Sequence, residues 1–167
     1  MRTKMVRRGA ILCGVLGGLL CALPAMAAVD AFLTVTGTKQ GPIKGMAAKE
    51  GGSEGSMAVS AVVHETAAAG APAGKRQHSP ITITKEVDSA SPSLFQAMTT
   101  HEVLSEVTIT FQGSGAGMKA AQRIVLTNAT ITNIRKVGTA EQITFDYPTI
   151  EVTYKGGGKS AMDDWTQ

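Results

Sequence analysis

The sequence predicts a mainly β fold in which one sheet curves toward a closed barrel, accompanied by a single short helix. Three observations carry this. Apolar residues recur with a period of two along most of the chain, the period of a half-buried strand. Two long β-rich stretches shift phase in the middle, as a strand does when it bends. Helical spacing of apolar residues appears beside one strand end, after Ser91.

The elements follow in chain order. Val29, Ala31, Leu33 and Val35 share one face of the first strand, and Met57, Val59, Ala61 and Val63 one face of the next. Between them, "GTKQGPIKGMAAKEGGSEG" (37–55) is too rich in Gly, Ala and Pro to hold a core, and a connection of this length is functional or disordered. "TAAAGAPAGKRQHS" (66–79) is a second connection of the same kind. "ITITKEVDSASPSLFQAMTT" (81–100) then starts as a strand and ends as a helix. At the join, Ser91 is read as the helix N-cap with Pro92 at the first helical position, where its missing N–H costs nothing. A capping box from Ser93 to Gln96 is the alternative. Asp88, just before, suits the positive end of the helix and can accept backbone N–H bonds. Leu94, Phe95 and Met98 form the apolar face. Each polar residue of this corner has a structural task, against the reading of the corner as an active site.

Val107, Ile109 and Phe111 form the face of a further strand, with Thr108 and Thr110 among its outer polar positions, and "QGSGAGMKAAQ" (112–122) reads as a flexible hairpin tip. In "RIVLTNATITNI" (123–134) the phase slips near Asn128, and in "ITFDYPTIEVTY" (143–154) near Pro148, which cannot donate to a ladder. Two long, kinked strands let a sheet close on itself. Residues 156–167 read as a flexible tail, with Trp165 either anchoring it on the barrel or lying at a subunit contact.

Residues 1–27 have the form of a secretory leader: a basic start at Arg2, Lys4, Arg7 and Arg8, an apolar run from Ala10 to Leu23, and Ala25-Met26-Ala27 before the cut. The run is too short to span a bilayer comfortably, and Cys13 and Cys21 each follow a leucine, which disfavours lipid attachment, so no stable membrane anchor is expected after cleavage. An alternative start at Met26 stays open. Of the chain's 16 Lys and Arg, four lie in the leader, leaving 12 against 13 Asp and Glu, a mature charge of about −1. The largest basic cluster left is a pair, which excludes a nucleic-acid footprint. Both cysteines leave with the leader, so the remaining residues, 28–167, are held without disulfides.

Signals for chemistry are poor. His64, His78 and His101 have no metal-ligand spacing, and no metal or cofactor is expected. "GGGKS" (156–160) lacks the first glycine of a phosphate loop, with Thr153 in its place, and no serine sits in a nucleophile elbow. A hydrolase built from dispersed Ser, His and Asp is the weakest of the readings, and no catalytic residue is assigned.

"ITITKEVDSASPSLFQAM", "VTITFQG", "IVLTNATITNI" and "EQITFDYPTIEVTY", in this order, resemble the haemolysin-coregulated protein (Hcp) family, the inner-tube subunit of type VI secretion. "AVDAFLTVTG" and "GPIKG" resemble its amino-terminal segment, so the likeness runs through residues 28–155. It implies a compact antiparallel β-barrel with one flanking helix and a long extended loop, closing as a homohexamer whose rings stack. The implied function is a ring-forming structural subunit, not an enzyme, with secreted effector cargo or a tip protein as partners. Ile43 and Lys44, in the early loop, are the expected ring-stacking contacts. The leader adds a secreted or periplasmic location. The alternative is an exported β-barrel binding or envelope protein that has lost tube assembly.

Overall fold

A computed structural model of the chain describes residues 31–46, 53–65, 79–112, 120–154 and 158–164. The expected leader, Trp165, most of the 66–79 connection and most of the expected hairpin tip lie outside the described residues. The strands are β1 (Ala31–Gly37), β2 (Gly41–Ile43), β3 (Met57–His64), β4 (Ile81–Glu86), β5 (Leu104–Gln112), β6 (Ala120–Val137), β7 (Ala140–Asp146), β8 (Thr149–Tyr154) and β9 (Lys159–Asp164). The helix α1 (Ser91–Thr99) joins β4 to β5.

All pairings are antiparallel, and following them from β1 through β3, β4, β7, β6 and β5 returns to β1, so six strands close into a barrel. Closure leaves no open edge within the ring of six. Its interior holds Leu33, Ile83, Leu104, Ile109, Leu126 and Phe145, all fully buried; all but Leu104, which lies outside the expected Val107, Ile109 and Phe111 face, follow the predicted alternation. α1 lies against the barrel with Leu94 and Ala97 buried; Phe95, expected on its apolar face, is exposed.

The predicted kinks are where closure is achieved. Asn128 takes a left-handed φ of 54°, and across the sheet β7 ends at Asp146 and β8 begins at Thr149, so Pro148 falls in the break. Both pieces pair with β6, β7 from Thr130 onward and β8 up to Thr127, and the interruption therefore sits opposite Asn128. The stretch predicted as one bent strand is thus two, lying end to end. Tyr147 plugs the bend: it is buried, and its hydroxyl lies 3.1 Å from the Ser79 carbonyl and 3.1 Å from His64 Nε2. Burial, with the Asp146 carboxylate beside it, pushes this phenol up to about 12, so it serves as a neutral hydrogen-bonding group.

Four expectations need correction. In β3 the register shifts between Val59 and Ala61, so Val62 turns toward the core while Val63 is 55% exposed; a bulge reverses the period-two pattern from that point. Thr108 is on the outer face but buried, donating to Glu106 Oε1 at 2.9 Å beneath Arg123. The predicted tail contains β9, paired with β8 from Tyr154↔Lys159 to Thr149↔Asp164. Its residues are nearly all exposed, so no alternation marks it in the sequence. The early connection is not all loop: β2 pairs with β1, with Val35↔Ile43 in register, and Ile43 belongs to the core.

Candidate functional site

The corner between β4 and α1 is built around a buried lysine. Ile81, Ile83 and Lys85 share the inward face of β4, as Glu141, Ile143 and Phe145 share that of β7, and the register sets Lys85 opposite Glu141. A cation thereby meets a carboxylate in the interior, with Nζ 2.8 Å from Glu141 Oε1 and only 1% of the lysine side chain exposed. Nζ also donates to Asp88 Oδ1 at 2.8 Å and to the Glu86 carbonyl at 2.7 Å, with Ser91 Oγ at 3.3 Å. Desolvating such charges costs several kcal/mol per ion and is offset only when every donor and acceptor is used, which is the case for this lysine.

Two carboxylates face one ammonium, so the corner keeps an excess of about one negative charge. Amides offset it. Asp88 Oδ1 accepts from Ala90 N at 2.9 Å and Oδ2 from Met46 N at 3.3 Å, while α1 begins beside them with the positive end of its dipole. Ser91 Oγ donates to Glu141 Oε1 at 2.6 Å and accepts from Asp88 N at 3.0 Å.

These contacts correct the expected cap. Ala90 is the N-cap residue, no side chain caps the helix, Ser91 is the first helical residue and Pro92 the second. The Ser91 hydroxyl lies in the ion cluster instead, donating its proton to the Glu141 carboxylate, a charge-assisted bond, while its lone pairs accept from Asp88 N and Lys85 Nζ and so leave no contact with a helix-end amide. Ser93 lies within the helix, and its carbonyl accepts from Gln40 Nε2 at 3.1 Å.

The corner also grips the stem of the early loop. Ser89 Oγ donates to the Lys44 carbonyl at 3.3 Å, and Gly45 N donates to the Gly55 carbonyl at 2.9 Å, closing the stem. A side chain on Gly45 would overlap Met57 Cγ and lie 2.8 Å from Asp88 Oδ2, so only glycine lets the strand-loop junction press against the acid. The structure thus brings Asp88 and Lys44, read separately in the sequence, into one site. Ile43 leaves it: at 5% exposed, its side chain is spent in the protein's own core and is not free to touch a neighbour. Lys44 is exposed.

A second buried acid works at the other end of the helix. His101, at a left-handed φ of 50°, turns the chain out of α1 so that Glu102 points at the β1–β2 turn. Glu102 Oε1 accepts from Lys39 N at 2.7 Å and Gln40 N at 2.9 Å, and Oε2 accepts from Gln40 Nε2 at 2.9 Å. Gly37 has no Cβ to strike that carboxylate. Burial raises the Glu102 carboxyl, but the Gln40 and Lys39 hydrogen bonds outweigh it and hold the group below the usual carboxylate value. A depressed folded value means stability that is present above the ordinary carboxylate range and lost as pH falls through the lowered value. Glu102→Gln is therefore expected to flatten the acid limb of the melting-temperature profile; an unchanged limb would show that this turn does not depend on the charge.

Lys85, Glu141 and Glu102 escape a motif search. The first two were visible in principle, as charges on the apolar parity of "ITITK" and "EQITF". Glu102 carries no local signal, since its partners are more than sixty residues away.

The family described as type VI secretion system effector, Hcp, matches residues 32–154. The "Major exported protein" of Pseudomonas aeruginosa is 34% identical to this chain, over 83% of this chain and 96% of that protein. Among solved structures, a variant of Hcp1 from E. coli EAEC 042 is 29% identical with a TM-score of 0.72, covering 83% of this chain and 98% of that one. The secreted protein Hcp3 of Pseudomonas aeruginosa is 31% identical with a TM-score of 0.71, covering 83% and 99%.

Proposed function

The chain belongs to the Hcp family of type VI secretion proteins, and from that premise we propose that it is the ring-forming structural subunit of a secretion tube. Six copies close into a ring, rings stack, and the lumen touches secreted effector cargo or ends at a tip protein. The observation that supports this most is the closed six-strand barrel itself, whose strands, Ala31 apart, lie within the matched region and which leaves the early-loop stem, α1 and the β6–β7 turn together at one end. A barrel with distinct ends suits head-to-tail contacts, which close into rings or extend as filaments. A mature charge of about −1 leaves little long-range repulsion between copies. Contact with the next ring falls to the early loop, with Lys44 at its stem.

Native mass measurement of the mature protein tests the assembly. A hexamer at micromolar concentration is the expected result; a monomer that persists to millimolar concentration rejects the tube and favours the solitary exported binding protein. The expected leader would carry the protein out of the cytoplasm, to a secreted or periplasmic location, and intact mass is expected to place the first residue of the exported form at Ala28. A cytoplasmic product beginning at Met26 would remove the leader from the account.

A further inference from the structure

We infer that α1 is a brace that fixes the direction of the early loop, with Glu102 and Asp88, the acids flanking its two ends, as the positioning residues. This rests on the proposed ring contact and adds what controls it. The segment from Thr38 to Met46 contains a single three-residue strand, too short to hold its own course. It is fastened at both ends. Before β2, Glu102 takes the Lys39 and Gln40 amides, Gln40 Nε2 reaches the Ser93 carbonyl, and Thr38 N and Oγ1 donate to the Val103 carbonyl at 3.0 and 2.9 Å. After β2, Asp88 takes the Met46 amide and Ser89 holds the Lys44 carbonyl.

Each anchor belongs to α1 or to a residue within a few positions of its ends, so the nine-residue helix spans the segment like a strut. The strut is itself immobilised by charge. Asp88 cannot drift from its place without leaving Lys85, which is wholly buried, short of one of its two carboxylates. Asp88 is the less buried of those two, with 16% of its side chain exposed, and its outer oxygen is the one turned to the loop. The corner therefore transmits the rigidity of the barrel interior to the stem that presents Lys44.

The test uses the mature protein with two substitutions of different kinds. Asp88→Asn removes charge and keeps shape; Gly45→Ala keeps every charge and adds bulk that meets Met57 Cγ first, then Asp88 Oδ2 and the Ser56 carbonyl, so the stem must shift. Amide exchange of unstacked protein is expected to quicken about tenfold in both at Met46, which loses its charge-assisted hydrogen bond to Asp88, and to quicken at Gly45 as its bond to the Gly55 carbonyl loosens with the stem. Exchange at Ile83 and Leu126, inside the barrel, stays as in the parent. Native mass still reports a ring, while stacks seen by electron microscopy become rare. Unchanged exchange at Gly45 and Met46 in both variants overturns the brace. Quickened exchange with undiminished stacks overturns instead the use of the loop as ring contact. If Asp88→Asn fails to fold, Gly45→Ala decides alone.

Discussion

Lys85→Met is expected to lower the stability of the protein by about 3–5 kcal/mol, because it strands two carboxylates in the interior. The change leaves Glu141, 2% exposed, and Asp88 without the ammonium that both face. Buried carboxylates with no cation must either protonate or draw in water, and the fold yields first. Such a loss is a large fraction of the 5–15 kcal/mol that typically holds a domain. Removing the carboxylates as well is expected to return most of it: in Lys85→Met combined with Glu141→Leu and Asp88→Asn, no unpaired charge remains in the corner. Urea unfolding of residues 28–167 measures both. A single variant that unfolds with the parent's midpoint would mean the cluster is solvated and carries no load. Recovery in the triple variant should extend to stability and not to stacking, since the brace needs the Asp88 carboxylate.

Replacing residues 47–54 with a two-residue turn is expected to leave rings intact and abolish stacked rings. The boundaries matter. Cutting from residue 37 would remove β2 and take Ile43 out of the core, at about 2–5 kcal/mol for a buried isoleucine, and so would confuse loss of contact with loss of fold. The Gly45–Gly55 hydrogen bond already closes the stem, and a short turn there leaves the barrel and the Asp88 contact in place. Native mass reads the ring and electron microscopy the stack. Tubes of parental length from the shortened protein would assign the axial contact to another part of the surface. Lys44→Glu, which keeps the loop and inverts one charge at its stem, is expected to weaken stacking in a salt-dependent way, because an exposed charge is screened within about 8–10 Å at ordinary ionic strength.

Features that depend on near neighbours along the chain were legible in the residues alone. Alternation of apolar residues sets the inward face of β1, of β4 and of most of β5, since side chains two apart on a strand must share a side. The bend near Asn128 and the irregularity at Pro148 were legible because a phase slip and a missing N–H are local facts, although the ending of one strand and start of another at Pro148 was not. Ser-Pro marked the beginning of α1 to within one residue, and the order of these elements carried the family resemblance.

Only the tertiary structure decided what depends on register between strands. Whether Val62 or Val63 faces the core follows from a bulge that its own strand does not announce. β9 exists because a turn brings it back along β8 and the ladder, not an apolar face, holds it. Ile43 looked like a stray apolar residue in a polar loop until its pairing with Val35 put it inside. Lys85 and Glu141 are separated by 56 positions, and neither is intelligible as a buried charge until the other is set 2.8 Å away. The reason is the same in each case. Burial and hydrogen-bond partnership are properties of a place in space, and a place inside a closed barrel is shared by strands that the chain visits at widely separated positions.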